Sequence, residues 1–100
     1  MSFLARPEHG TVTAASGTAS ATIKTKGDRL FQVLVKAATG STTFDVKLVD
    51  IYGFNVYEVT SITGEHSELL DLPTYGNYTM TISNASVDEA IEYLFNFREK

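Results

Sequence analysis

The chain of 100 residues has no cysteine and no tryptophan, only two prolines and two histidines, and no basic excess. Without cysteine there are no disulfides, thiolate metal ligands or thiol nucleophiles. Small extracellular domains are commonly stapled by disulfides. The expected setting is therefore a reducing cytosol, or a larger assembly that lends stability. Lysine and arginine total eight against twelve acidic residues, for a formal net charge of -4. The nearest basic grouping is Lys24, Lys26 and Arg29, whereas a nucleic-acid surface needs a basic stripe. No apolar run approaches the length of a membrane span. The segment Met1-Ser2-Phe3-Leu4-Ala5-Arg6-Pro7 lacks the basic start and long apolar centre of a signal peptide. A soluble, non-secreted protein with no nucleic-acid or membrane partner is expected.

What the chain does have is alternation. In Thr43-Phe44-Asp45-Val46-Lys47-Leu48-Val49-Asp50, Phe44, Val46 and Leu48 point one way while Asp45 and Lys47 point the other. In Asn77-Tyr78-Thr79-Met80-Thr81-Ile82, Tyr78, Met80 and Ile82 alternate with polar neighbours. A period of two marks strands with one dry and one wet face. With 43% hydrophobic and 20% charged residues, the composition is that of an ordinary globular domain. Turn signals recur about every ten residues, as in an all-β sandwich. The expected fold is a single-domain antiparallel β-sandwich, jelly-roll-like, over residues 11–100, with residues 1–10 as an extended N-terminal arm.

Along the chain, Thr11-Val12-Thr13 and Ala21-Thr22-Ile23-Lys24-Thr25 predict strands around a Ser16-Gly17 turn. Their thin apolar content and lysines suit sheet edges. Leu30 to Val35 is apolar on both sides apart from Gln32. That predicts a central strand covered on both faces, or with one face in the core and one in a subunit contact. Ile51-Tyr52-Gly53 predicts a hairpin into Phe54–Thr60. Glu65–Leu72 reads as a less regular segment. In the last segment, Ser86-Val87-Asp88-Glu89 fits a helix capping box. Ile91, Tyr93, Phe95 and Phe97 alternate and argue for a strand, which is the favoured reading.

Candidate chemistry is sparse. His66 beside Ser67 with Asp71 nearby lacks triad geometry, because adjacent strand residues point to opposite faces. Asp50, Asp88 and Glu89 could donate oxygens to calcium, but turn and cap chemistry explains them equally. Asn77-Tyr78-Thr79 and Asn84-Ala85-Ser86 match a glycosylation sequon. Most tyrosines fit a core with hydroxyls at the rim. Tyr52 and Tyr75, placed in turns, are the best candidates for stacking on a sugar. No catalytic, metal or cofactor site is assigned. Phe3 and Leu4 are too apolar for a free arm. Phe3, Leu4 and Arg6, with the edge strand at Thr22 and Lys24, are the candidate partner-binding residues.

Two resemblances attach to these segments. Thr43–Asp50, Gly53–Tyr57, Leu72-Pro73-x-Tyr75-Gly76-x-Tyr78-Thr79 and Ile82-x-Asn84-Ala85-Ser86-x-Asp88-Glu89 resemble the jelly roll of bacterial prepeptidase C-terminal-type modules. The run from Gly27 through Val35 into Thr43-Phe44-Asp45-Val46, with the Leu-Pro-x-Tyr-Gly segment, is similar to short virion proteins of tailed bacteriophages. That second resemblance implies a non-enzymatic structural component of the virion, assembled in the host cytoplasm. The role it implies is a capsid decoration (cement) protein, or a neck or tail component. Phage capsid or neck and tail proteins and further copies of the chain would be its partners. The alternative expectation is a carbohydrate- or cell-surface-binding accessory module.

Overall fold

A computed structural model describes residues 5–99. The chain forms eight strands: β1 (Arg6–Ala14), β2 (Ala19–Ile23), β3 (Arg29–Ala37), β4 (Thr43–Val49), β5 (Asn55–Thr63), β6 (Glu65–Pro73), β7 (Tyr78–Ser83) and β8 (Glu89–Arg98). One sheet has the order β1-β8-β3-β6 and the other β2-β7-β4-β5, all neighbours antiparallel. Each sheet takes strands alternately from the two halves of the chain, which is the eight-stranded jelly-roll arrangement.

The alternation read in β4 and β7 places Phe44, Val46, Leu48, Tyr78, Met80 and Ile82 in the core, all essentially inaccessible to solvent. They meet Leu30, Val33 and Val35 of β3 and Ile91, Tyr93, Phe95 and Phe97 of β8 from the facing sheet. Burying each large side chain stabilises by about 1.5–3 kcal/mol, so the inner faces dominate folding. β3 lies centrally between β8 and β6, and β2 lies at an edge, as their compositions predicted.

Three local expectations are corrected or sharpened. Residues 6–10 are not an arm: they open β1, with Arg6 opposite Phe97 and Gly10 opposite Tyr93. Pro7, which cannot donate to a ladder, is accommodated because β1 is an edge strand. Gly10 suits that position, since a Cβ would run into the hydroxyl end of Tyr93 and the ring would have to shift. Glu65–Leu72 is regular, forming β6 against β3. Ser86–Glu89 is a tight turn closed by Glu89 N–H donating to Ser86 O at 3.2 Å, and the whole of β8 is strand. Asp88 adopts φ 63° in that turn, a conformation that does not begin a right-handed helix.

Candidate functional site

Large apolar side chains gather at one end of the sandwich. Ile51, Tyr52, Phe54 and Tyr75 are between 52% and 72% exposed. They come from the β4–β5 and β6–β7 turns, and a single buried carboxylate organises both. Asp50 Oδ1 accepts hydrogen bonds from the backbone N–H of Tyr52 and of Phe54, each at 2.9 Å. The bond to Tyr52, two residues on, is the Asx-turn that aspartate favours at the start of a turn. Gly53 takes φ 89° to complete the reversal, a conformation costly for any residue with a Cβ. Asp50 Oδ2 accepts the Tyr75 hydroxyl, tying the second turn to the first.

The result is a stacked pair: the Tyr52 and Tyr75 rings lie 6.0 Å apart between centroids, with planes inclined by 27°. Aromatic pairs in this range attract through offset stacking. Ile51 packs onto Gly76, where a Cβ would come within 2.6 Å of its side chain. The Tyr75 hydrogen bond, above all, holds the Asp50 carboxyl below its usual range, helped by the turn N–H groups. The same bond raises Tyr75. Tyr78, beneath the tip, is pushed up to about 12 by burial and donates to Pro73 O at 3.0 Å. The tip is therefore held in shape by bonds that use the Asp50 carboxylate internally, leaving the exposed platform largely apolar.

The other acids named from sequence are likewise structural. Asp45 accepts Ser61 N–H at 2.8 Å and the Asn84 amide at 2.6 Å. These bonds, the backbone one first, lower its pKa. Glu89 is buried and accepts Thr39 N–H at 2.6 Å. Among the described residues no group of three or more His, Cys, Asp or Glu is arranged to hold a metal ion. His66 Nε2 lies 3.1 Å from Glu68 Oε1, which also accepts the Tyr57 hydroxyl at 2.9 Å. Asp71, near His66 in the sequence, pairs instead with Arg29 at 3.5 Å. The sequon asparagines are used by the fold too: Asn77 accepts Thr25 N–H at 3.2 Å and Asn84 holds Asp45.

Of the partner-binding candidates, Phe3 and Leu4 lie outside the described residues. Arg6 pairs with Glu99 at 3.3 Å across the β1–β8 end. Thr22 is exposed on edge strand β2, and Lys24 is exposed just beyond it. Lys26 reaches Glu8 of β1 at 3.0 Å, so the segment after β2 runs beside the first strand. The tip brings together Tyr52 and Tyr75, both visible in the sequence as turn aromatics. Ile51 and Phe54 read in sequence as ordinary hairpin residues, although apolar residues flanking a glycine turn were the available signal.

The fold and the tip together define a class, a jelly-roll domain with a preorganised apolar end. No protein-family model matches the chain, and no curated protein matches it in sequence. Among solved structures, it is similar to the enzymatically active domain of tailspike protein 4 of bacteriophage CBA120. The identity is 14% over 94% of this chain and 18% of that one, with a TM-score of 0.41. It is similar also to a protein of the infectious bursal disease virus Gx strain, at 12% identity over 91% of this chain and 30% of that one, TM-score 0.39. The chain thus spans less than a third of the length of either.

Proposed function

We propose that this chain is a non-enzymatic structural component of a bacteriophage virion, a capsid decoration protein or a neck or tail component, assembled in the host cytoplasm. It works by docking on other virion proteins. The observation that supports this reading is the tip. Four large apolar side chains stand in water on two interlocked turns, and the only acid among them is spent on holding their shape. A rigid apolar platform loses little entropy on docking, and many copies on one particle multiply a modest single contact. Co-sedimentation with shells and tails of the particle encoded by the same genome tests it, comparing wild type with Tyr52→Ser/Phe54→Ser. Wild type should pellet with the particle, and the double variant should remain folded yet bind at least about tenfold more weakly. Wild-type protein left wholly in the supernatant overturns the assignment. Deleting Ser2–Gly10 would not serve as a test, because that deletion removes half of β1.

A second reading, a carbohydrate- or cell-surface-binding module, is favoured by one observation, the Tyr52–Tyr75 stack. Glycan binding by the isolated domain, lost in Tyr52→Ala or Tyr75→Ala, would establish it in place of the first.

A further inference from the structure

The outer face of the β1-β8-β3-β6 sheet carries a pattern that the tip does not explain. Its two central strands are β8 and β3, and their register places Glu92 opposite Lys36, Leu94 opposite Leu34, and Asn96 opposite Gln32. These side chains all point away from the core, since the residues between them, Val33, Val35, Tyr93 and Phe95, are buried. Leu34 and Leu94 are only partly covered and stand outside the core cluster. They floor a shallow groove of about 270 Å³ rimmed by His9, Lys36, Glu65 and Glu92. Leu69, opposite Gln32 on β6, is 74% exposed.

Each row across β8 and β3 pairs groups that complement one another: acid with base, leucine with leucine, amide with amide. Exchange of the two strands therefore leaves the chemistry of the face intact. A two-fold axis parallel to the strands, running between β8 and β3, performs that exchange when one copy is laid on another. It sets Leu94 on the partner's Leu34, Glu92 on the partner's Lys36, and Asn96 on the partner's Gln32. Along the margin it sets Pro7 on the partner's Leu69. An isologous interface must be self-complementary in this sense. Of the three central rows only Glu92–Lys36 is charged, and in it each acid meets the partner's base. The one unfavourable row, Arg29 with the partner's Arg98, falls at the end of the strands. Stacked sheets cross at about 30° and diverge there, and Asp71 already pairs with Arg29.

We propose that this face is a two-fold self-association surface whose occupant is a second copy of the chain. It stands independently of the virion reading, which concerns the tip. Four strands about 4.8 Å apart over some seven residues offer roughly 450 Å² per copy, about 900 Å² in total, which is the size of weak, transient contacts and below that of stable specific ones. The dimer is accordingly one that dissociates in the micromolar range, on the order of 1–100 µM.

Sedimentation of the full chain from about 1 µM to about 1 mM reads the association. Lys36→Glu alone makes the row two carboxylates that face two carboxylates in the partner, and Glu92→Lys alone makes it two ammonium groups. Each variant should self-associate at least about tenfold more weakly than wild type. An equimolar mixture of the two should form a heterodimer, because both reciprocal contacts are then between opposite charges. Both positions are exposed, and circular dichroism checks that the variants fold. Isotope-filtered contacts between the methyls of Leu34 and the partner's Leu94 read the same geometry in the unsubstituted protein. A wild type that stays monomeric at about 1 mM, or a mixture no more associated than its components, overturns the proposal. Failure here with retained particle binding, or the reverse, separates the two assignments.

Discussion

The two outer faces of the sandwich differ sharply although the inner faces are alike. On the β2-β7-β4-β5 sheet the outward positions include Ser20, Thr22, Thr79, Thr81, Ser83, Asp45 and one apolar residue, Val49, with Lys47 opposite Glu58. That face reads as solvated, its hydroxyls and opposite charges in facing register suiting water. On the β1-β8-β3-β6 sheet the centre is Leu34 and Leu94, framed by charges and an amide pair bonded at 2.8 Å. Both sheets bury continuous apolar rows, so folding accounts for the inner faces and leaves this outer contrast unexplained. The comparison teaches that what a strand shows to solvent carries the information about partners, whereas what it buries reports mainly on the fold.

The harshest way to probe the contrast attacks what the two sheets share. Phe95→Ala empties the centre of the core and should cost about 3–5 kcal/mol, read as one cooperative transition by circular dichroism and tyrosine fluorescence alike. Separate transitions for the two probes would mean that the sheets are not two faces of one unit. Next, Leu94→Asp and Thr81→Asp place the same charge on opposite outer faces. Both should lower stability by a similar amount, about 1 kcal/mol, because aspartate fits a half-covered central strand poorly. Leu94→Asp alone should abolish self-association, and equal loss from both would erase the distinction between the faces.

The smallest effects are those of pH. The carboxyls of Asp45, Asp50 and Glu68 are lowered by hydrogen bonds, the last chiefly by His66 and then Tyr57. A lowered folded-state pKa contributes stability that is complete above the unfolded value. That value is 3.8 for Asp and 4.5 for Glu, and the contribution is lost as pH falls toward the folded one. Tyr78 has the opposite sign: its contribution is complete below 10.0 and disappears as pH rises toward about 12. Melting temperature should thus stay flat with respect to these groups between about pH 5 and pH 9 and fall on both sides. Asp50→Asn should flatten part of the acid limb. It should also increase amide exchange at Tyr52 and Phe54, leaving the exchange of β8 unchanged.

Several elements were legible because their own residues specify them. β4 and β7 alternate strictly, and their faces follow from the two-residue period. β3 carries apolar residues on both sides; its central place and its core face were legible, whereas the expected cover of its second face is only partial, with Gln32 and Leu34 half-covered and Lys36 exposed. β6 was not legible: Glu65–Pro73 lies at an edge with exposed and half-covered positions mixed. Its order comes from pairing with β3, some thirty residues away along the chain. Residues 6–10 have weak strand propensity, with Pro7 and Gly10 among them. They extend because β8 offers them a ladder and because Tyr93 needs the space above Gly10. The tip was half legible. Tyr52 and Tyr75 were identifiable as turn aromatics, whereas their stacking depends on Asp50 bridging two turns distant in sequence.

By itself the sequence determined the β class, the inner faces of the central strands, the edge character of β2 and the absence of thiol chemistry. These depend on local period and composition, which the chain carries at every position. Only the tertiary structure decided that Lys36–Glu92, Leu34–Leu94 and Gln32–Asn96 stand in matched rows, and that Asp50 gathers four apolar side chains at one end. Those arrangements rest on register and on closure of two turns, and both are settled when remote strands pair and bury a common core.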